Sequence, residues 1–192
     1  NNKKAASVYG ILNTLFLSLD STNHIDVPAT LGIAPPYFMP NKNLRDTSGK
    51  IIVQQFFYGD KDGQTVFNGF LSRLNANNWK VTHSKDWVTV SSTNGVPVVV
   101  YANRPLDEAK NLDAEAQANL NDYLFDNGIE PSVAIHRGHS YWLPSTITQL
   151  LPSEKVVLLG SCGAYQSLDK ILHTCPGAQI VASKQTGSGF IN

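Results

Sequence analysis

The sequence predicts an α/β fold with a mainly parallel sheet and an inserted β-hairpin. Three observations lead to this class. Strand-like and helix-like segments alternate from residue 51 onwards, which is typical of right-handed βαβ units. The run at 156–159 is continuously apolar, as expected of a strand covered on both faces of a parallel sheet. Asn94-Gly95 lies between two strand-like segments and is a strong signal for a hairpin with a type I′ turn.

The strand segments are recognised by runs of apolar, β-branched and aromatic residues. In chain order they are residues 51–58, 79–83, 87–91, 96–101, 131–136, 155–159 and 179–183. A glycine- and aspartate-rich turn at 59–63 follows the first strand, and helical spacing of apolar residues follows that turn over 66–74. Asp113 is predicted to cap a helix that Asn127-Gly128 ends, and Ser145 to cap a short helix that stops before Pro152. A further helix is predicted over about 164–173.

Residues 1–50 are predicted to form an appendage to the α/β domain, which would occupy residues 51–192. Apolar residues recur at helical spacing over 7–20, and four prolines then break any long element between 21 and 50. The first residue is Asn1 rather than Met, and no signal-peptide pattern follows it. We therefore expect a processed chain or a fragment of a longer one, with the cellular compartment left open.

Composition excludes several classes of function. The chain has 192 residues, of which 42% are hydrophobic, so it is long enough to bury a core in one domain. Lys and Arg number 15, as do Asp and Glu, and no basic stripe is visible, so nucleic-acid binding is not predicted. No apolar run approaches the ~20 residues needed to cross a bilayer, so no membrane span is predicted.

A histidine and a cysteine follow two neighbouring strands. Arg137-Gly138-His139 comes after the strand at 131–136, and Cys162 comes after the apolar run at 156–159. Only one short crossover links these strands, and sites in parallel sheets form outside the carboxyl ends of the strands. We therefore expect the imidazole of His139 and the thiol of Cys162 to face each other.

Cys162 also directly precedes a predicted helix, whose N-terminus would favour the nucleophilic thiolate. Cys175 has no such context and is predicted to be a small buried side chain. His136 lies within its strand, so we expect it to pack or to orient a neighbour. Metal-ligand spacings such as Cys-x-x-Cys are absent, so neither a metal nor a cofactor is predicted. An α/β-hydrolase would need its histidine after the nucleophile, where only His173 is found.

The order of strand, histidine, strand and cysteine resembles that of the caspase/gingipain/clostripain group of cysteine peptidases. Arg137-Gly138-His139-Ser140 is similar to the Gly-His-Gly-Ser of gingipains, with Ser140 where the family usually has glycine. The resemblance covers about residues 51–190. It implies a caspase-like three-layer sandwich and a cysteine endopeptidase that hydrolyses peptide bonds in peptide or protein substrates.

The resemblance also implies a role for each residue of the pair. Cys162 would attack the scissile carbonyl, and His139 would act as the general acid and base. The backbone N–H groups of Cys162 and of Gly138, or alternatively Ser140, would form the oxyanion hole.

Substrate-binding residues are implied in two places. Ser183 and Lys184 resemble the wall of the pocket for the residue before the scissile bond. Asp60 or Asp62, in the loop after the first strand, would pair with a basic residue there and direct cleavage after Arg or Lys. Lys61 in the same loop would instead suit an acidic residue, and the whole loop is equally compatible with a solvated turn.

Two other functions remain compatible with the sequence. The chain would be an interaction module of a larger protein if the Cys-His pair were inert. It would be a hydrolase of another class if the cysteine attacked a bond other than a peptide.

Overall fold

The computed structural model of the chain describes residues 2–33 and 38–185. Residues 34–37 and 186–192, which include parts of both predicted domains and the end of the family resemblance, lie outside the described residues. The chain divides into two units, Asn1–Met39 and Pro40–Asn192. The stretch 41–50 belongs to the second unit because Arg45 bridges to Ile51 and the Ser132 hydroxyl donates to the Leu44 carbonyl at 2.6 Å.

The first unit is helical. Helix α1 (Asn2–Ser18) covers most of the predicted 7–20 segment, and Asp20 then caps a short 3-10 helix, Ser21–Asn23. Helix α2 (Val27–Leu31) begins at a cap made by Asp26. In the part of the chain that the structure describes, no helix has the length and apolar content needed to cross a membrane.

The second unit is built on a seven-stranded sheet. Its strands are β1 (Ile51–Phe57), β2 (Trp79–His83), β3 (Trp87–Ser92), β4 (Val98–Asn103), β5 (Val133–Arg137), β6 (Val156–Gly160) and β7 (Gln179–Ala182). They lie in the order β2-β3-β4-β1-β5-β6-β7. Only the pairings of β3 with its two neighbours are antiparallel. The predicted α/β class with a mainly parallel sheet and an inserted hairpin is therefore confirmed.

Helices cover both faces of this sheet. They are α3 (Lys61–Ser72), α4 (Leu112–Asp126), α5 (Leu143–Ile147) and α6 (Leu168–Thr174). Successive side chains of a strand point to opposite faces, so Phe57 packs with Phe67 of α3, while Phe56 packs with Ile171 of α6. On that second face, Leu120 of α4 joins a further buried cluster. The result is consistent with a three-layer α/β sandwich.

The hairpin between β3 and β4 has a longer connection than predicted. Gly95 has a positive φ of 72°, but Asn94 has none, so the type I′ turn is absent and the prediction of that turn was wrong. The Asn94 side chain instead donates to the carbonyl of Asn77 at 3.1 Å. Strand β4 begins only at Val98, whose N–H donates to the hydroxyl of Ser92.

Two predicted helix caps were also wrong. Asn111, not Asp113, occupies the cap of α4, and the Asp113 carboxylate is buried against the N–H groups of Gly59 and Ala114 at 3.0 and 2.9 Å. Asp113 therefore makes a tertiary hydrogen bond to Gly59 instead of capping α4. Ser145 lies inside α5, which begins two residues earlier.

Candidate active site

Several of the residues singled out from the sequence follow β1, β5 and β6 at the carboxyl edge of the sheet. In the registers of these strands, Phe57 pairs with Arg137, and Arg137 pairs with Gly160. His139 and Cys162 each lie two residues beyond the Arg137–Gly160 pair. They therefore occupy equivalent positions beyond two adjacent parallel strands, as the short crossover predicted.

Asp62, one of the two carboxylates that the resemblance offers for a basic substrate residue, provides a third group at this edge. It lies in the first turn of α3, and its Oδ2 accepts a hydrogen bond from His139 Nε2 at 3.1 Å. The imidazole also stacks on the ring of Tyr141, with centroids 5.1 Å apart and planes inclined by 14°. With Nε2 held by a carboxylate, Nδ1 is the ring nitrogen left for proton exchange with a reacting group.

A buried polar chain lies next to His139. Burial lowers the pKa of His136 to about 4, so its imidazole is neutral and carries one N–H. Nε2 is 3.2 Å from the Gly138 carbonyl, which can only accept, so the proton is on Nε2. Nδ1 therefore accepts from the Thr146 hydroxyl at 2.7 Å, and Thr146 accepts from the Tyr58 hydroxyl at 2.5 Å. This chain fixes the backbone immediately before His139.

Gly138 is required by close packing rather than by an unusual φ. A Cβ at this position would lie 2.6 Å from Cδ2 of Tyr58, whose side chain is only 2% exposed. Tyr58 cannot yield easily, because its ring stacks on Trp142 at 4.8 Å and its hydroxyl is bonded to Thr146. Only glycine therefore allows the chain to pass Tyr58 on its way to His139.

Asp60 stabilises the loop after β1. Its Oδ1 accepts from the N–H of Gly63 at 2.7 Å and so caps α3, which begins at Lys61 rather than after residue 63. Its Oδ2 accepts from the indole N–H of Trp142 at 2.9 Å. The resemblance implies that Asp60 or Asp62 pairs with a basic substrate residue, and in the structure each of them has a hydrogen-bond partner within the protein.

Cys162 lies on a cleft of about 520 Å³ that Lys184 also lines. Its side chain is partly exposed. The N–H of Gly163 donates to the Gln185 carbonyl at 3.1 Å, which holds the segment after β7 beside the cysteine. Ser183 bonds to Gln185 through its hydroxyl and so shapes the turn without lining the cleft.

The helix expected directly after Cys162 is present in two parts. A 3-10 helix, Ala164–Ser167, comes first, and the α-helical segment α6 begins only at Leu168. The aligned peptide dipoles of α6 thus start six residues beyond Cys162, and their effect falls off within a turn. The N-terminus of α6 is therefore too far along the chain for its dipole to act strongly on Cys162. Of the amides suggested for the oxyanion hole, that of Cys162 lies directly after β6, and those of Gly138 and Ser140 lie directly after β5.

Cys175 and Glu154 form a second titratable pair, away from the cleft. Glu154 precedes β6 and is 1% exposed, and Cys175 is fully buried. The Cys175 thiol donates to the Leu151 carbonyl at 3.1 Å and approaches Glu154 Oε2 at 3.7 Å. Burial raises the pKa of Glu154 to about 8 and that of Cys175 to about 12. Cys175 is therefore the structural thiol that its sequence context predicted.

Within residues 2–33 and 38–185, no three His, Cys, Asp or Glu side chains are grouped so as to hold a metal ion. No protein-family model matches this sequence, and no curated protein matches it.

Proposed function

We propose that the protein is a cysteine endopeptidase of caspase-like architecture, with Cys162 as nucleophile and His139 as general acid and base. The observation that carries the proposal is the placement of these two residues at equivalent positions beyond adjacent parallel strands. A carboxylate on Nε2 of His139 and an open cleft beside Cys162 support it further. These are the parts that nucleophilic catalysis by cysteine requires.

The chemistry proceeds in two steps. Nδ1 of His139 takes the thiol proton, and the Cys162 thiolate attacks the scissile carbonyl to give a tetrahedral oxyanion. His139 returns the proton to the leaving amine as the C–N bond breaks, which leaves a thioester on Cys162. His139 then removes a proton from water, which attacks the thioester, releases the new carboxylate and restores the thiol.

Asp62 and the buried His136 act through His139. The Asp62 carboxylate favours the tautomer with a proton on Nε2 and stabilises the imidazolium that forms in each step. His136 fixes the Gly138 carbonyl and with it the peptide plane that leads into His139. Oxyanion stabilisation comes from the N–H groups of Cys162 and Gly138, and such donors are each worth a few kcal/mol.

Cleavage of an unfolded protein tests the proposal. The protein is incubated with reduced and alkylated casein, the products are sequenced by mass spectrometry, and kcat/KM is measured on a peptide that spans a cleaved bond. We expect Cys162→Ala and His139→Ala to lower kcat/KM by at least about 10³-fold. Matched controls are Cys175→Ala, and His83→Ala on the exposed edge of β2, both of which should keep the activity.

Alkylation separates an enzyme from an inert interaction module. Cys175 is buried and reacts slowly for that reason alone, so the informative comparison is Cys162 in the wild type and in His139→Ala. If the pair is functional, iodoacetamide labels Cys162 several-fold more slowly in the variant near neutral pH. Equal rates in the two proteins, together with intact casein, would leave the interaction module as the function.

A further inference from the structure

We infer that α1 pairs with α1 of a second copy of this chain, through an apolar stripe on the surface of the helix. The inference goes beyond the proposed function and does not depend on it. It rests on the exposure of α1, on the spacing of its apolar residues and on their lack of charge.

The apolar stripe lies on one side of α1. Successive residues of an α-helix are about 100° apart around its axis, which places six large apolar side chains within a sector of about 120°. A sector of this width is typical of a helix face that packs against a core. Each of the six is nevertheless between 43% and 81% exposed: Val8, Tyr9, Leu12, Leu15, Phe16 and Leu19. Leu19 directly follows α1, and its N–H donates to the Phe16 carbonyl at 3.2 Å, which continues the last turn.

The rest of the first unit does not cover this stripe. No residue of α1 is buried, and among residues 2–20 only Thr14 and Ser18 are partly covered. Both lie on the polar side of the helix, where the Thr14 hydroxyl donates to the Gly10 carbonyl at 3.0 Å. Helix α2, which contacts α1, therefore leaves the stripe open.

A helix of this kind needs packing to be stable in water. Helix α1 has 17 residues, and isolated helices only slightly shorter than this are marginal even when they are rich in alanine. Gly10 in its middle and the β-branched Val8 and Ile11 lower its intrinsic helix propensity. Burial of the stripe is therefore the main source from which α1 can gain stability.

The spacing within the stripe indicates that its partner is another helix. Val8, Leu12, Leu15 and Leu19 are separated by four, three and four positions, which is the spacing of the a and d residues of a coiled coil. The two aromatic residues of the stripe directly follow the first and the third of these residues, so they flank the seam. Each seam residue can then insert between four residues of a facing helix.

Charge favours a second copy of α1 over a lipid surface. Residues 2–19 carry two charged side chains, Lys3 and Lys4, both in the first turn. A helix that lies on a membrane carries Lys and Arg along its polar face, where α1 has the neutral Ser7, Asn13 and Thr14. The stripe itself has no charged residue, so the stripes of two copies can meet without repulsion.

The area of the stripe is sufficient for a stable pair. At the exposed fractions given above, its six side chains present roughly 700 Å², close to the ~800 Å² that each partner of a standard interface buries. The largest apolar patch of a typical monomer covers about 300–600 Å². A pair with twofold symmetry uses the same patch on both copies, so α1 supplies both halves of the interface.

Sedimentation velocity of the 192-residue chain tests the pairing. We expect the wild type to form a dimer in a concentration-dependent manner. Leu12→Glu places one carboxylate from each copy in the seam and should raise the dissociation constant of the dimer by at least about 100-fold. Leu12→Met keeps an apolar side chain of similar size and should retain the dimer.

Leu17→Glu is the matched control. Leu17 is 42% exposed and lies on the far side of α1 from the stripe, so this variant should dimerise as the wild type does. Near-ultraviolet circular dichroism checks that the aromatic packing of the second unit is the same in all three variants. A dimer that is insensitive to Leu12→Glu, or that Leu17→Glu weakens equally, would overturn the pairing through the stripe.

A wild type that stays monomeric at ~100 µM would also overturn the inference. The same proteins are then mixed with vesicles of phosphatidylcholine and phosphatidylglycerol and centrifuged. Binding to the vesicles that is lost in Leu12→Glu and kept in Leu17→Glu would assign the stripe to a lipid surface instead of a second copy.

Discussion

Glu154 makes the stability of this protein depend on pH in an unusual direction. The residue is 1% exposed, and in the described part of the chain Oε1 of its carboxyl group has no hydrogen-bond partner. Burial raises its pKa from 4.5 to about 8. Because the folded-state pKa lies above the unfolded one, Glu154 contributes its full stability below pH 4.5 and loses it as pH rises towards 8. Full ionisation in the folded state then costs about 5 kcal/mol, at 1.36 kcal/mol for each pH unit of this interval.

His136 has the opposite effect in part of this range. Burial lowers its pKa from 6.5 to about 4, so its contribution is present above pH 6.5 and is lost as pH falls towards 4. Between about pH 4.5 and 6.5 the two groups change the free energy of unfolding with pH by equal and opposite amounts, so their effects cancel. Above pH 6.5 only the effect of Glu154 remains. The wild type should therefore be equally stable at about pH 5 and 6.5 and lose about 2 kcal/mol by pH 8.

Glu154→Gln removes the contribution of Glu154 to the pH dependence of the unfolding free energy and leaves the contribution of His136. We expect the free energy of unfolding of this variant to rise by about 2 kcal/mol from about pH 5 to 6.5 and then to stay level to pH 8. Urea unfolding followed by circular dichroism measures both curves, and Glu115→Gln on the exposed face of α4 is the matched control. The difference between Glu154→Gln and wild type should grow by about 4 kcal/mol across the range. Parallel curves would contradict this prediction, because Glu154 would then ionise at the same pH in the folded and the unfolded protein.

Two substitutions near His139 have smaller, separable effects. Asp62→Asn should lower kcat/KM on a cleaved peptide by up to about fivefold, because the Asp62 side chain is 73% exposed and exposed ion pairs are worth at most ~1 kcal/mol. The loss should shrink when the assay is repeated in about 1 M salt, and a loss independent of salt would argue against the ion pair. Gly138→Ala should destabilise the fold by about 1–3 kcal/mol through overpacking against Tyr58 and lower kcat, whereas Gly177→Ala, where a Cβ meets nothing within 4 Å, should do neither. Equal melting temperatures for Gly138→Ala and wild type would show that the ring yields.

The sheet could be predicted from the sequence because its signals are local. The apolar run of β6 and the short crossover from β5 are enough to make these strands parallel neighbours, and their register brings His139 and Cys162 to one edge. The hairpin was equally clear from Asn94-Gly95. Its turn type was not, because a side-chain bond from Asn94 to Asn77 depends on residues far along the chain.

The role of Asp62 could not be predicted for the same reason. Its partner His139 lies 77 residues away in the sequence. The two are close because β1 lies in the centre of the sheet, directly beside β5. Sequence patterns singled out this loop and its two carboxylates for substrate binding, but they do not give the strand order that brings Asp62 to His139. The role of Asp113 could not be predicted either. Its carboxylate accepts a hydrogen bond from the N–H of Gly59 instead of capping α4, and the sequence alone does not bring Gly59 near it.

The central position of β1 has a consequence for how the protein folds. Val53 pairs with Val133 across 80 residues, whereas Ser91 pairs with Val99 across 8. A tenfold longer loop costs about 2 kcal/mol more entropy to close, so the β3–β4 hairpin is expected to form early and the β1–β5 pairing late. Asp62 and His139 come from opposite sides of that late pairing. A nascent or partly unfolded chain therefore lacks the assembled site, and any proteolytic activity is confined to molecules that have completed folding.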